Sequence, residues 1–350
     1  MSIALCNRTT YPFLKPIREI LAAATAGERL EGTFHSGTRA SGAEIAIPWV
    51  ALRGKKPAPC LWINGQVHGP EINGIIAALD FANALDPRDL TGSVVVSATA
   101  NPLALNARTK STPQDEGDLD QSFPGNANGL ATERLAHTLF EQVKGCADAV
   151  INMHTMGHMF DSRPYAVYKV HPNGKVTEKA LLAMIAPFVP AVACRMKVEQ
   201  GLGELPGNIA GALDYQMLAL GIPAFMIELG SGSRAEAPYI AQGVAGFTGV
   251  ARRMGILEGD PAKFGPLKRV TRRAHVTVAH GGLFRAARAP GDTVRAGEPL
   301  GSTMDLHGKI VETIALPHDC IVIGMRRDPV VHSGDRAGFV ALEWDAATAE

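Results

Sequence analysis

The sequence has no excess of charge of either sign. Its 350 residues include 34 Lys and Arg against 34 Asp and Glu, so the formal net charge is zero. Non-specific binding to nucleic acid depends on a basic excess that neutralises phosphates, and this chain lacks that excess. We therefore expect no nucleic-acid partner.

Long apolar runs are also lacking. A helix that crosses a bilayer needs roughly 20 consecutive apolar residues, and no stretch of the sequence approaches that length. The first twenty residues have no basic region followed by an apolar segment long enough for a signal peptide. These two features predict no membrane partner and a cytoplasmic location.

Cysteine is scarce and scattered. The five cysteines, at positions 6, 60, 146, 194 and 320, are odd in number and form no CxxC pair. This pattern argues against a disulfide framework and against a thiolate zinc site, and it favours a reduced protein. Hydrophobic residues make up 46% of the chain, which is enough for a sizeable core, and the length predicts about two domains.

Strand-like and helix-like patterns alternate over the first 260 residues. After a polar lead-in with a short helix at 17–26, short apolar runs bounded by Gly and Pro predict strands, and longer runs of helical spacing predict helices. The predicted strands are 44–52, 59–65, 93–100, 147–153 and 223–229, and the predicted helices are 71–85, 130–144, 175–187, 208–220 and 233–254. This alternation predicts an α/β sheet covered on both faces.

The pattern changes near residue 265. Gly, Asp and Pro cluster in residues 257–268, and short alternating segments with frequent turn signals follow. Such segments are typical of a small all-β module. We therefore predict a first domain over residues 1–260 and a C-terminal β module over residues 268–345.

Histidine and carboxylate side chains follow two of the predicted strands. His68 and Glu71 come just after the apolar segment CLWING, and His154 ends the segment AVINM. Ligands of open α/β sheets bind at the carboxyl ends of strands, and imidazole and carboxylate are ordinary zinc ligands. These three residues are candidate metal ligands. The alternative for the first pair is a surface His beside a Glu that the helix dipole favours in a first turn.

Glu228 ends the nearly all-apolar strand PAFMIEL. A carboxylate in that position is costly to bury unless it is used. We predict that Glu228 is a general base that acts on a metal-activated water. The alternative is a buried Glu that pairs with an Arg or caps the following helix.

The loop over residues 101–128 is rich in Gly, Pro, Asp and Asn, and loops of this length inside a compact domain are usually functional. Arg108 carries a fork of donors that can hold a substrate carbonyl or carboxylate, unless it pairs with a loop Asp. The loop also supplies candidate substrate-binding residues, namely Asn101, Asp118, Asp120 and Gln121.

Residues that follow His154 are further candidates. Arg163 is predicted to line the pocket. His158 stands four residues after His154, as in zinc-binding helices, but Gly157 argues against a helix there. The histidines of the C-terminal module, including His275, are predicted to lie at the surface.

The order HGxE, NP, Arg, D-L-x-x-x-F-P-G, strand-then-His and E-L-G-x-G resembles the succinylglutamate desuccinylase/aspartoacylase family, which is related to the zinc carboxypeptidases. The resemblance spans residues 59–254. It implies a zinc-carboxypeptidase-like mixed sheet flanked by helices, followed by a small C-terminal all-β, barrel-like module. It also implies one zinc ion per chain, held by His68, Glu71 and His154, with Glu228 as the base and Arg108 as the arginine that polarises or anchors the substrate.

The function that follows is a zinc-dependent amidohydrolase, a deacylase that cleaves a small N-acyl amide with metal-activated water. Two alternatives remain. One is a metallocarboxypeptidase that acts on a small peptide, and the other is a catalytically inactive binding or scaffold protein. The expected partner is a small N-acyl molecule, and homo-oligomer formation stays open.

Two positions depart from the family pattern. The family has Asp-Leu-Asn-Arg where this chain has Asp118-Leu119-Asp120-Gln121, and it often has Asp two residues before the third ligand, where this chain has Asn152. The Asn-Arg pair grips a substrate carboxylate in the relatives. With an anion in its place, we expect a substrate whose far end is cationic or neutral.

The segment PGDTVRAGEPLG, residues 290–301, resembles the core of biotinyl and lipoyl carrier barrels. Those barrels carry their prosthetic group on a hairpin lysine. No lysine stands between Met304 and Leu306 here. We therefore expect a module without a covalent cofactor.

Overall fold

Short apolar strands form the centre of the fold in the computed structural model, which describes residues 15–198 and 207–348. Every residue of β3 (Cys60–Asn64) and β4 (Ser93–Ser97) is buried. The same holds for all but the last residue of β5 (Ala149–Met156). Near-continuous apolar runs of this kind are typical of strands that are covered on both faces.

The remaining elements complete the sheet and its covering layers. The other strands of the described ranges are β1 (Glu28–Thr38), β2 (Glu44–Arg53), β6 (Phe160–Ser162), β7 (Tyr165–Lys169), β8 (Ala193–Met196), β9 (Ala224–Ser231), β10 (Leu267–Thr277), β11 (Gly282–Ala286), β12 (Thr293–Val294), β13 (Pro299–Met304), β14 (Ile310–Ala315), β15 (Cys320–Arg326), β16 (Val330–Val331) and β17 (Arg336–Ala347). The helices there are α1 (Ile17–Ala23), α2 (Asn73–Ala84), α3 (Pro102–Ala107), α4 (Ala131–Cys146), α5 (Glu178–Ile185), α6 (Leu213–Leu220) and α7 (Ala237–Arg253).

One large mixed sheet contains most of the strands. In the part of the chain that the structure describes, its order is β1-β2-β4-β3-β5-β9-β7-β8-β10-β17-β15-β12, and β6 pairs with β15. The strands β4, β3, β5 and β9 run parallel to their neighbours in that series. A separate antiparallel sheet has the order β14-β13-β11-β16. The predicted α/β class with a small C-terminal β part is confirmed.

Two hydrophobic cores lie on the two faces of the large sheet. Because side chains alternate along a strand, Leu61 and Ile63 of β3 enter one core, whereas Cys60 and Trp62 enter the other. Helices α2, α5 and α7 supply the first core, and α1, α4 and α6 supply the second. The sheet is therefore covered on both faces, which leaves the carboxyl ends of its parallel strands as the open edge.

Local signals in the sequence explain where several helices begin and end. Asn101 caps α3, since its side-chain oxygen accepts a hydrogen bond from the Ala104 amide at 3.0 Å, and Pro102 follows it at the first helical position. Thr177 caps α5 in the same way. Gly221 ends α6 in the left-handed conformation that glycine adopts without strain.

The structure differs from the sequence predictions at four elements. The polar lead-in contains β1, whose alternate residues face solvent and hide the apolar pattern. The short strands β7 and β8 were also missed. The predicted loop at 101–128 includes α3 and a single 3-10 turn at Leu119–Gln121.

The C-terminal strands continue the large sheet. Strand β10 pairs in parallel with β8, and β17 pairs with β10 and β15. Strand β6, which follows His154, pairs with β15. This route brings β10 and β17 to the open edge, while the division into domains at 1–260 and 268–345 stays a prediction. Among the helices of the described residues, none has the length and apolar character needed to cross a membrane.

Candidate active site

Three buried side chains meet at the carboxyl ends of β3 and β5. Glu71 lies between two imidazoles, with one carboxylate oxygen 2.9 Å from His68 Nδ1 and the other 3.1 Å from His154 Nδ1. The backbone amide of Thr155 donates to Glu71 Oε2 at 3.2 Å. The sequence separates these residues by up to 86 positions, and the parallel pairing of β3 with β5 brings them together.

The three side chains fit a divalent metal ion. Their candidate ligand atoms all lie within 4.8 Å of one another, and all three residues are buried. Two imidazoles and one carboxylate form a donor set typical of catalytic zinc sites. Burial raises the pKa of Glu71, but the charge of His68 and hydrogen bonds from both imidazoles outweigh it and lower that pKa to about 2. The carboxylate is therefore ionised, as a metal ligand must be.

The outer nitrogen of His68 contacts the long loop. His68 Nε2 lies 3.0 Å from Asp118 Oδ1, and Lys110 Nζ lies 3.0 Å from Asp118 Oδ2. Burial raises the pKa of Asp118, but the hydrogen bond from His68 and the two cationic neighbours lower it further than burial raises it. A carboxylate in this position fixes the ring orientation of a metal-binding histidine. Asp118 thus contacts a candidate ligand.

The other two loop candidates also have internal partners. Gln121 donates to Asp118 Oδ2 at 3.2 Å and accepts from the Asn208 amide at 2.9 Å. Asp120 Oδ1 accepts from Asn152 Nδ2 at 3.3 Å and lies 3.7 Å from His154 Nε2. Both side chains line the cavity beside the site, but their polar atoms bind the protein itself.

Glu228 stands beside the candidate ligands at the end of β9. It is the register partner of His154 on β5. Its Oε2 is buried without a hydrogen-bond partner among the described residues. Burial raises the pKa of Glu228 to about 7, the charge of Glu71 adds to this effect, and the nearby imidazoles and Arg273 oppose it. A carboxyl with a pKa near neutrality can both accept and donate a proton at physiological pH.

A cavity of about 740 Å³ opens beside these residues. Arg108, at the left-handed C-terminal end of α3, is exposed and lines it. A buried ion pair stands in its wall, with Lys169 Nζ 2.8 Å from Asp214 Oδ1. The apolar part of the lining consists of Met156, Met159, Val167, Met196, Ile209 and Met226.

Two predicted substrate contacts are corrected by the structure. Asn101 is fully buried, where it caps α3 and donates to Thr112 Oγ1 at 3.0 Å, so it does not line the cavity. Arg163 is exposed, and its side chain lies against Gly291 outside the cavity. Sequence proximity to His154 misplaced Arg163 because β6 and the turn after it lead the chain away from the site.

The C-terminal strands supply cavity residues that the sequence analysis missed. Arg273 and His275 of β10 and Arg336 and Phe339 of β17 all line the cavity. The Arg273 guanidinium lies 5.2 Å from the centre of the Phe339 ring, and the His275 ring stacks on the same ring at 4.6 Å. The one available signal was the period of two that places residues 273 and 275 on the same side of a strand.

His275 corrects a prediction of surface exposure. Its Nε2 is buried and has no hydrogen-bond partner among the described residues. Burial lowers its pKa to about 4, and the positive charges of Arg336 and Arg273 add to this effect. This end of the cavity is therefore cationic.

The mixed sheet and the buried donor set define an α/β protein with a candidate metal centre of the hydrolase type. The chain belongs to the succinylglutamate desuccinylase/aspartoacylase family, because the model of that family's catalytic domain matches residues 57–253. This confirms the resemblance seen in the motif order, and it makes the chain a member of a family of amide-cleaving deacylases.

Similar proteins agree with this membership. The chain is 25% identical over 307 residues to N-alpha-acetyl-L-2,4-diaminobutyric acid deacetylase from Halomonas elongata, a match that covers 85% of this chain and 86% of the relative. A product-bound structure of the ectoine utilization protein EutE (DoeB) from Ruegeria pomeroyi superposes with a TM-score of 0.79 at 23% identity, over 91% of this chain and 97% of that one. A succinylglutamate desuccinylase/aspartoacylase structure from Rhodobacter sphaeroides gives a TM-score of 0.76 at 25% identity, over 91% and 95%.

Proposed function

We propose that this protein is a zinc-dependent deacylase that hydrolyses a small N-acyl amide and releases a carboxylate and an amine. The observation that carries the proposal is the buried His68–Glu71–His154 donor set beside Glu228, a carboxyl with an unpartnered buried oxygen. A binding or scaffold protein has no need to bury such a group, since its burial is costly. The cytoplasmic location also remains part of this proposal.

The residues present divide the work of amide hydrolysis. His68, Glu71 and His154 would hold one zinc ion, which acts as a Lewis acid and lowers the pKa of water. Glu228 takes a proton from the attacking water and returns it to the leaving nitrogen. Arg108 at the cavity edge donates to the carbonyl oxygen as negative charge develops on it.

The cavity also bears on the substrate. The sequence pointed to a cationic or neutral far end because of Asp120 and Gln121, but these side chains bind within the protein. Arg273 and Arg336 instead make one end of the cavity cationic. We therefore replace that expectation and propose an N-acyl amino acid whose carboxylate faces this end. The Halomonas relative acts on a compound of this class.

Metal analysis joined to a substrate panel tests the proposal. We expect about one zinc per chain in the purified protein and loss of both metal and activity in His68→Ala. N-acyl amino acids should be hydrolysed, whereas peptides should show no preference for a free over an amidated C-terminus. Full zinc occupancy in His68→Ala would contradict the ligand assignment, and a strong preference for free peptide C-termini would favour the carboxypeptidase alternative.

A further inference from the structure

The two positions at which the chain departs from its family's pattern touch each other. Asn152 Nδ2 donates to Asp120 Oδ1 at 3.3 Å, although the residues are 32 positions apart in sequence. Both side chains also approach the outer nitrogen of His154, Asn152 at 2.9 Å and Asp120 at 3.7 Å. This contact carries an inference about how His154 is held, which rests on the proposed metal site.

A chain of buried hydrogen bonds fixes which end of the Asn152 amide faces His154. The indole nitrogen of Trp62 can only donate, and it donates to Ser97 Oγ at 3.0 Å. The Ser97 hydroxyl donates to Asn64 Oδ1 at 3.0 Å, and Asn64 Nδ2 donates to Asn152 Oδ1 at 2.7 Å. The carbonyl end of Asn152 is thereby engaged, so its NH₂ end faces His154 Nε2.

The reverse orientation of this amide is unfavourable. It would place Asn152 Oδ1 where Nδ2 now stands, 3.3 Å from the carboxylate oxygen of Asp120. Two acceptor oxygens in contact inside the protein repel each other, and neither gains a donor. It would also set the Asn64 and Asn152 NH₂ groups against each other unless Asn64 turned as well. The direction of the chain is therefore set by chemistry, not only by coordinates.

This direction leaves His154 with one partner for a proton on its outer nitrogen. His154 Nδ1 faces Glu71 and is the atom available to a metal ion. When Nδ1 binds a metal, the ring proton must sit on Nε2. An Nε2–H group cannot donate to the NH₂ group of Asn152, and the carboxylate oxygen of Asp120, at 3.7 Å, can accept it.

We propose that Asp120 is a positioning residue for the metal ligand His154, with its carboxylate accepting the Nε2–H hydrogen bond and setting the ring tautomer. Asp118 has the same relation to His68 across 3.0 Å. The 3-10 turn at Leu119–Gln121 puts the two carboxylates two residues apart, on either side of buried Leu119. One turn of the loop therefore orients both imidazoles.

The two departures then compensate each other. Asp at position 152 with Asn at position 120, the arrangement of the family pattern, places one carboxylate and one amide at this contact. Asn152 with Asp120 keeps one of each and exchanges their places. The Asn64 amide donates equally well to a carboxylate at position 152, so the hydrogen-bond chain tolerates either arrangement.

An exchange of the two side chains tests this inference. Zinc affinity is measured by chelator competition in Asp120→Asn, Asp120→Ala and the double variant Asp120→Asn with Asn152→Asp. We expect Asp120→Asn to weaken zinc binding about 10-fold and Asp120→Ala about 100-fold, the range typical of lost partners of metal ligands. The double variant should return to within about threefold of the wild type. Glu116→Gln is the matched control, because it removes one exposed charge from the same loop outside the cavity.

A second readout separates positioning from general damage. In zinc-loaded wild type, proton NMR should show a low-field His154 Nε2–H resonance protected from exchange, and Asp120→Ala should lose that protection while keeping a folded spectrum. The inference fails if Asp120→Asn and Asp120→Ala bind zinc as tightly as Glu116→Gln, or if a folded double variant is no better than Asp120→Asn. A change in KM alone, with zinc affinity intact, would make Asp120 a substrate contact instead. If wild type itself binds no zinc, the proposed function fails, which is a separate result.

Discussion

Glu228 shows at the scale of one residue how a buried group can carry a function. The carboxyl ends an apolar strand, and its Oε2 has no hydrogen-bond partner among the described residues. Burial raises its pKa to about 7, so a large part of it stays protonated near neutral pH in the metal-free protein. A cation bound by His68, Glu71 and His154 would favour the ionised form and draw this pKa downward.

Replacement of Glu228 by Gln tests the base. The amide keeps the shape of the side chain but cannot accept a proton, so kcat should fall by roughly 10²–10⁴-fold while zinc content stays unchanged. In the wild type, activity should decline as the pH falls through the pKa of Glu228, because a protonated carboxyl cannot act as a base. This acid limb should lie at or below about pH 7 and should disappear in the variant.

Steady-state kinetics from pH 5 to 9, with zinc measured at each pH, provide the check. Turnover close to that of the wild type in Glu228→Gln would show that another group takes the proton. His158, which also lines the cavity, would then be the next residue to change.

Strand β10 shows at the scale of an element how alternation sorts neighbouring residues. Arg272 is exposed and its Nε donates to Glu343 at 2.7 Å, whereas Arg273 is 9% exposed and lines the cavity. The two arginines are equivalent in the sequence. They differ because successive strand residues point to opposite faces, and only one face of β10 borders the site.

This pair supplies a matched test of the cationic end of the cavity. Arg273→Met should raise KM for an N-acyl amino acid by about 10- to 100-fold, since a charge-assisted hydrogen bond contributes roughly 1.5–3 kcal/mol. Arg272→Met removes the same charge from the opposite face and should leave KM within about twofold. The comparison is repeated with the amide of the same amino acid, for which Arg273→Met should matter little. Equal effects on the acid and the amide would remove the carboxylate from this end of the cavity.

The whole molecule joins the candidate metal ligands across a long stretch of chain. His68 and Glu71 follow β3, and His154 lies in β5, so a metal ion would link segments about 80 residues apart. An ion that binds the folded state and not the unfolded chain adds free energy of unfolding of about 4 kcal/mol when its concentration is about 1,000 times Kd.

Metal removal should therefore lower the stability of the entire domain. We expect the Tm to fall by several degrees on chelation and to recover on addition of zinc. The His154→Ala variant serves as the control, because its Tm should no longer respond to chelator or to zinc. A wild-type Tm that is indifferent to both reagents would argue against a structural link through the metal.

The sequence by itself determined the chemistry of the site and the elements that carry it. The apolar runs before His68 and up to His154 and Glu228 could only be buried strands, and polar residues at strand ends meet at the open edge of a parallel sheet. Caps such as Asn101 and Gly221 are local, so they could also be read from neighbouring residues. Local periodicity and side-chain chemistry were enough for these features because they depend on residues close in sequence.

Only the tertiary structure decided how distant segments complete the site. Arg163 is near His154 in sequence yet lies outside the cavity, whereas Arg273, 119 positions away from His154, lines it. The contact between Asp120 and Asn152 likewise joins a loop to a strand and turns two apparent substitutions into one exchange. Such contacts follow from the pairing of β8 with β10 and from the path of the loop over the sheet edge. These long-range arrangements leave no periodic pattern in the sequence, because their energy comes from packing and hydrogen bonds between elements that only the folded chain brings together.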